Sequence, residues 1–393
     1  MQTVRNEPFF GFFRMLFLSA FLPYASFIIP FMPDSIGGFN LTGWSWLLMF
    51  LVSLYYLVQS PGNRRFPIVF WLPWVAYLLI YLLTQFSKPG LQLTIQYLLP
   101  VLIGYVASGF VYSKERMHTI FKGFMQLSVA ILSMFMFGHF FRGGFIPMAA
   151  LTPMLLCVTA VVLAGLYFVT NRFLFMMLFG IVFIVPILGV NRMAILAYLI
   201  ILPLHFANRR IITRIAAIML VLISGYLVFN SKSFQEKTFA EGQGRLSDIS
   251  LNYYEEGTSL NTNGRSNFIR YYEKGLREAP DFGNGPRSDL DLLRNALGST
   301  AAVEVCNDYI AIRYCYGNFG LGLLLFAFVS TFLALFMKSR TEQNGYKFLL
   351  QTSAMVLFVS LGLFMYSDNI MKYTVFFPDL MFAMIGMSYA DFE

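Results

Sequence analysis

Three arginines and two acids in this chain are of the types needed to handle a charged leaving group and a hydroxyl nucleophile. Arg192, Arg265 and Arg287 each stand where a guanidinium could meet an anion, and its planar fork matches phosphate oxygens. Glu304 and Asp308 are four residues apart with Asn307 between them, so on a helix two carboxylates and an amide point the same way. Ala311 continues that face and Arg313 lies opposite. Neighbouring carboxylates raise each other's pKa, which suits a base for a hydroxyl, with Asp308 the first choice and Glu304 the second. The plainer alternative is a solvated polar face paired with nearby arginines.

Arg287 closes the run Asp281-Phe282-Gly283-Asn284-Gly285-Pro286-Arg287, a glycine-rich turn that offers backbone N–H groups beside one cation. Ser288 then opens a short helix, with Asp291 three residues on as a partial capping box. Glycine-rich backbone before a helix N-terminus can hold an anion, and it can equally be a simple turn. Asp289-Leu290-Asp291 matches a D-x-D pattern that holds divalent metal in many nucleotide-sugar transferases. Acids in a first helical turn are also what the helix dipole favours, and no nucleotide-binding fold surrounds these, so no metal is inferred. His118, His139 and His205 are scattered, and Cys157, Cys306 and Cys315 show no paired spacing, so neither a zinc cluster nor a disulfide framework is expected.

The elements that must position these residues are read from composition. The 393 residues are 58% hydrophobic and only 12% charged, far below the roughly 25% of a soluble domain, which excludes a water-soluble fold. The net charge of +8 does not point to nucleic acid, because residues 230–318 hold ten Lys/Arg against twelve Asp/Glu and the basic surplus lies in short loops elsewhere. Apolar runs predict spans at Phe9–Phe31, Trp44–Val58, Pro67–Leu83, Leu91–Tyr112, Ile120–His139 and Met148–Val169. Further spans are predicted at Phe173–Val190, Met193–Phe206, Ile215–Phe229, Phe319–Met337, Phe348–Tyr366 and Thr374–Tyr389.

The expected fold is all-α, a polytopic membrane protein of about twelve transmembrane helices. It divides into helices one to nine (1–229), one large and mostly helical external loop (230–318), and helices ten to twelve (319–393). With the N-terminus inside, the inner loops collect Arg64, Arg65, Lys114, Arg116, Arg172, Arg209, Arg210, Arg214, Lys338, Arg340 and Lys347. The outer short loops hold only Lys88, Arg142, Arg192 and Lys372, so both termini are expected in the cytoplasm. The first span carries Arg14 and reads as an uncleaved anchor. Residues 173–207 must cross twice with almost no turn, which puts Arg192 at the outer membrane surface, either snorkelling to headgroups or held at the depth of a lipid phosphate. In the large loop, Arg265, Phe268, Ile269, Tyr272 and Leu276 share a helical face within 264–280, predicting an amphipathic helix along the membrane that Pro280 ends.

A Gly-Arg pair opening an external helix (Gly264-Arg265), the Pro/Gly-rich turn, then Asn307-Asp308-Tyr309-Ile310 and Gly317-x-x-Gly320-x-Gly322 leading into a helix resemble the O-antigen polymerase and ligase superfamily. Asn191-Arg192 is similar to that family's Ser-Arg at the start of a span. Ligases of the superfamily carry His-Asn where this chain has Cys306-Asn307, which favours the polymerase branch. The resemblance implies a glycosyltransferase of the bacterial inner membrane with a periplasmic site, metal-independent, inverting and without a cofactor. Its donor would be an undecaprenyl pyrophosphate-linked glycan, passed to a hydroxyl of a second lipid-linked repeat unit. Arg192, Arg265, Arg287 and Asn307 would bind substrate and Asp308 or Glu304 would act as base. Expected partners are the lipid-linked oligosaccharides, membrane lipid and a chain-length-regulating co-polymerase, with no nucleic acid. The competing readings are a ligase to lipid A core and a twelve-helix lipid or solute transporter; the transporter is weakened by the absence of an internal repeat.

Overall fold

A computed structural model describes residues 7–25, 35–36, 39–59, 63–141, 151–206, 211–239, 241–244, 265–297, 306–373 and 377–393. The fold is all-α. In chain order come α1 (Glu7–Phe21), α2 (Leu41–Gln59), α3 (Leu72–Thr84), α4 (Lys88–Ala107), α5 (Lys114–Phe141), α6 (Thr152–Thr170), α7 (Phe173–Leu188), α8 (Arg192–Phe206) and α9 (Ile211–Phe229). The segment 230–318 contributes α10 (Lys232–Thr238), α11 (Arg265–Glu278), α12 (Ser288–Leu297) and the first turns of α13 (Asp308–Ser339); α14 (Gly345–Ser367) and α15 (Pro378–Tyr389) follow.

Among the described residues six helices, α2, α4, α5, α6, α13 and α14, are long and apolar enough to cross a membrane, and five shorter apolar helices accompany them. α15 has only 12 residues, fewer than the roughly 20 that a hydrocarbon core requires. It is nevertheless the most enclosed helix, packed against α4 and α14, and Gly386 lies against the Gly104 carbonyl, where a side chain would collide. Small residues at such a crossing let two backbones approach closely.

Local sequence explains several boundaries. The Ser87, Asn307 and Asn344 side chains accept from backbone N–H groups in the first turns of α4, α13 and α14. Asn171 closes α6 in the left-handed conformation, φ 55°. The predicted near-absence of a turn between α7 and α8 is observed: residues 189–191 connect them, with Val190 at φ 44°. The tenth predicted span, from Phe319, starts just past Gly317, where α13 is broken, and a separate helical stretch from Asp308 precedes the break.

The basic short loops meet at one end of the bundle. Val111–Tyr112 pairs in parallel with Asp391–Phe392, Arg65 is 2.6 Å from Asp391, Arg116 lies over Phe9, and Lys338 and Lys347 lie over Tyr389 and Phe392. The described parts of 230–318 gather at the other end with the α3–α4, α7–α8 and α14–α15 connections.

Candidate functional site

The glycine-rich turn is docked into the break in α13. Normal helix would bond the N–H groups of Asn318 and Phe319 to the carbonyls of Tyr314 and Cys315. At Gly317 (φ 71°, ψ −177°) the chain leaves that path. The freed carbonyls of Tyr314 and Cys315 accept instead from Asn284 and Gly285, at 2.9 Å each. Asn318 and Phe319 donate to the carbonyls of Pro280 and Asp281, at 2.7 and 3.0 Å. Four bonds to the turn thus satisfy the groups that the break exposes, which buried backbone requires. Gly283 and Gly317 sit where the two strands of backbone cross; a Cβ on Gly283 would lie 2.7 Å from the Cys315 carbonyl. Tyr77 and Tyr81 of α3 donate to the Tyr316 and Phe282 carbonyls and fix the crossing to the span bundle.

The turn delivers Arg287 to the packed junction beneath it. Arg287 is a non-glycine residue at φ 66°, a conformation that the docked turn imposes on it. Its guanidinium is 3.5 Å from Asp289 Oδ2, and Lys372 of the α14–α15 connection lies 2.8 Å from the same oxygen. Asp289 is 1% exposed and Lys372 5%, whereas Arg287 keeps 17% of its side chain accessible. Asp289 Oδ1 accepts from the Cys315 thiol at 3.5 Å. Burial pushes the Asp289 carboxyl up, but Lys372 and Arg287, with the hydrogen bonds from Lys372 and Cys315, outweigh it and hold the group below its ordinary range.

Asp308 is tied to the same connection: its Oδ2 accepts from the Met371 N–H at 2.8 Å. Consecutive residues, Met371 through its backbone and Lys372 through its side chain, therefore hold Asp308 and Asp289. Asn307 caps α13 by accepting from Ile310 N–H at 3.1 Å. Asn307 and Asp308 are 3% and 0% exposed, so the solvated-face alternative for this pair is corrected: they are buried. Arg313 on the opposite face donates to Asn318 Oδ1.

The structure puts Arg287 on Asp289 beside Lys372, and ties Asp308 to Met371, the residue before Lys372, with Asn307 adjoining it as the cap of α13. Arg192 starts α8 at the turn whose Gly189 carbonyl accepts from Lys237 of α10. Arg265 is the first residue of α11; its side chain, and the whole of Glu304, lie outside the described residues. α11 forms as predicted, but its apolar face packs against α13, with Tyr272 buried edge-on to Tyr314 at 4.9 Å, rather than resting on lipid alone. The capping box at Ser288 is not formed: its hydroxyl donates back to the Gly285 carbonyl, and Asp291 is exposed.

Sequence reasoning missed Asp289 as an ion-pair residue and counted Lys372 only as a short-loop cation, not as its partner. The available signal was charge: an acid in the 230–318 segment and a lysine in a short connection otherwise poor in cations. Among the described residues no group of three His, Cys, Asp or Glu side chains is arranged to hold a metal ion. Beside the docked turn, Asp281, Phe282, Asn318, Phe319, Gly322 and Leu323 line an open groove of about 520 Å³ with both polar and apolar side chains. No family model and no curated protein matches the chain.

Proposed function

We propose that the chain is a twelve-span inner-membrane glycosyltransferase that polymerises lipid-linked surface polysaccharide on the periplasmic face. The observation that carries this reading is Arg287: an arginine whose side chain is partly accessible, set on a docked glycine turn beside a second, buried cation. The short resemblance to the O-antigen polymerases supports the same assignment, as does the groove beside the docked turn, whose mixed polar and apolar lining suits a lipid-linked glycan. Departure of a polyprenyl pyrophosphate builds negative charge, and preorganised guanidinium groups stabilise it in a site that costs no reorganisation. Arg192, Arg265 and Arg287 supply those cations, and Asn307 helps to hold the substrate. Asp308 or Glu304 removes the acceptor proton as the donor's reducing-end carbon is attacked with inversion. No metal or cofactor takes part in this scheme.

In a strain where this is the one candidate polymerase, its deletion should leave lipid A core capped by a single repeat unit and remove the ladder of longer chains. Complete loss of the capped core would assign a ligase, and an unchanged ladder would remove the transferase reading. With purified protein in EDTA, Arg287→Lys and Arg265→Lys keep charge but lose the fork, and each should lower polymerisation by roughly tenfold. Asp308→Asn should slow transfer while leaving donor binding in place.

A further inference from the structure

Lys372 and Arg287 approach one and the same oxygen of Asp289, and they do so unequally. The lysine is at 2.8 Å, the length of a charged hydrogen bond, while the guanidinium is at 3.5 Å, beyond that length. Two cations on one oxygen repel each other, so the outer one is the more easily drawn away. Its side chain is also the more accessible, at 17% against 5%, although the Nη1 that faces Asp289 is itself buried, and the residue stands on the turn that opens α12. Moving it would not strand a buried charge, because Asp289 would keep Lys372 and the Cys315 thiol.

We propose that Arg287 is an exchange arm: it waits on Asp289 and transfers to the phosphate oxygens of an entering pyrophosphate, while Lys372 is the positioning residue that keeps Asp289 compensated. Asp289 is then a placeholder anion that competes with the ligand for one guanidinium. The proposal rests on the transferase reading only for the source of the pyrophosphate. Asp308 is the other buried acid nearby; the Met371 N–H and the first turn of α13 hold it.

The competition has a reciprocal signature that a structural ion pair lacks. Binding of inorganic pyrophosphate, and separately of farnesyl pyrophosphate, is measured by calorimetry on the full-length protein in detergent. Asp289→Asn removes the competitor and should tighten both by about threefold to tenfold. Lys372→Met leaves Arg287 as the one cation shown on Asp289 and should weaken both by roughly tenfold. In the double variant Asp289→Asn/Lys372→Met the arm is free again, and affinity should return to or above the parent's. Arg287→Gln should lose binding, and Arg277→Gln on exposed α11 should not. Weaker binding in Asp289→Asn, or no recovery in the double variant, overturns the exchange. If the variants fail to fold, modification of Arg287 by phenylglyoxal in the parent decides the matter: pyrophosphate must slow it at Arg287 and not at Arg277, and equal rates overturn the proposal. Equal affinity for the two probes assigns recognition to the pyrophosphate alone, and tighter farnesyl binding adds a prenyl contact; Arg287 dependence is required in either case. Glycan transfer enters none of these arms. A protein that binds pyrophosphate through Arg287 and polymerises nothing keeps the exchange and loses the transferase reading; one that polymerises but binds more weakly as Asp289→Asn loses the exchange alone.

Discussion

A buried carboxylate shared by two cations behaves unlike a surface ion pair, because each partner has already lost its water. Lys372→Met would leave Asp289 with the Cys315 thiol and the longer contact to Arg287, and a cost of about 3 kcal/mol is expected in thermal unfolding of the purified protein. Asp289→Asn added to it should recover most of that loss, since no buried charge is then left exposed to its own desolvation. The folded Asp289 carboxyl lies below its unfolded value, so the cluster contributes stability above the ordinary carboxylate range. That contribution is lost as pH falls through the lower folded value, and Asp289→Asn should flatten the acid side of a plot of unfolding temperature against pH. Little of this was legible in the sequence. Asp289 and Lys372 are 83 positions apart, and nothing local distinguishes Asp289 from an acid that complements a helix dipole. Arg287 was legible, because a cation closing a glycine-rich turn is a local pattern; its partner was not.

At the scale of elements, the turn and the broken helix make one unit. The composition of 281–287 announced a turn, and Gly317, Gly320 and Gly322 were visible as a motif, yet their interlocking depends on tertiary hydrogen bonds that no spacing encodes. The apolar pattern of α13 continues through Gly317, so a helix starting before the membrane and interrupted at its surface reads simply as a span with a shorter beginning. Gly317→Ala tests the unit directly. Its conformation, with φ 71° and ψ −177°, belongs almost wholly to glycine, and the added methyl would run into the Asp281 carbonyl. A cost of about 2–3 kcal/mol in unfolding is expected, with faster proteolysis within 280–288 as the four bridging bonds are lost. Gly322→Ala, where a Cβ meets open space, should leave both readings at the parent's level. If Gly317→Ala is equally silent, the docking is not what holds Arg287 in place.

For the whole molecule, the two ends of the bundle differ in kind. The short loops that meet around the paired strands at Val111–Tyr112 and Asp391–Phe392 carry Arg65, Arg116, Lys338 and Lys347. At the other end the loop segment balances its cations with acids, as in the Arg287–Asp289–Lys372 cluster. Span positions predicted from hydropathy already implied this sorting, because each basic short loop alternates with a poorly charged one along the chain; what hydropathy left out is how short several helices are and how completely α15 is enclosed. Lys and Arg in short loops are retained in the cytoplasm during insertion, so the proposed orientation turns the basic end inward and the docked turn outward. A reporter active only outside the cytoplasm should therefore be active when fused at Gly257 and inactive at Arg209 or Gln343. These positions sample the large loop and two basic loops, so three fusions fix the direction of α9, α13 and α14 together. The opposite pattern would turn Arg287 and its neighbours toward the cytoplasm, where a lipid-linked repeat unit that has already crossed the membrane cannot reach them, and the polymerase assignment would fall with the orientation.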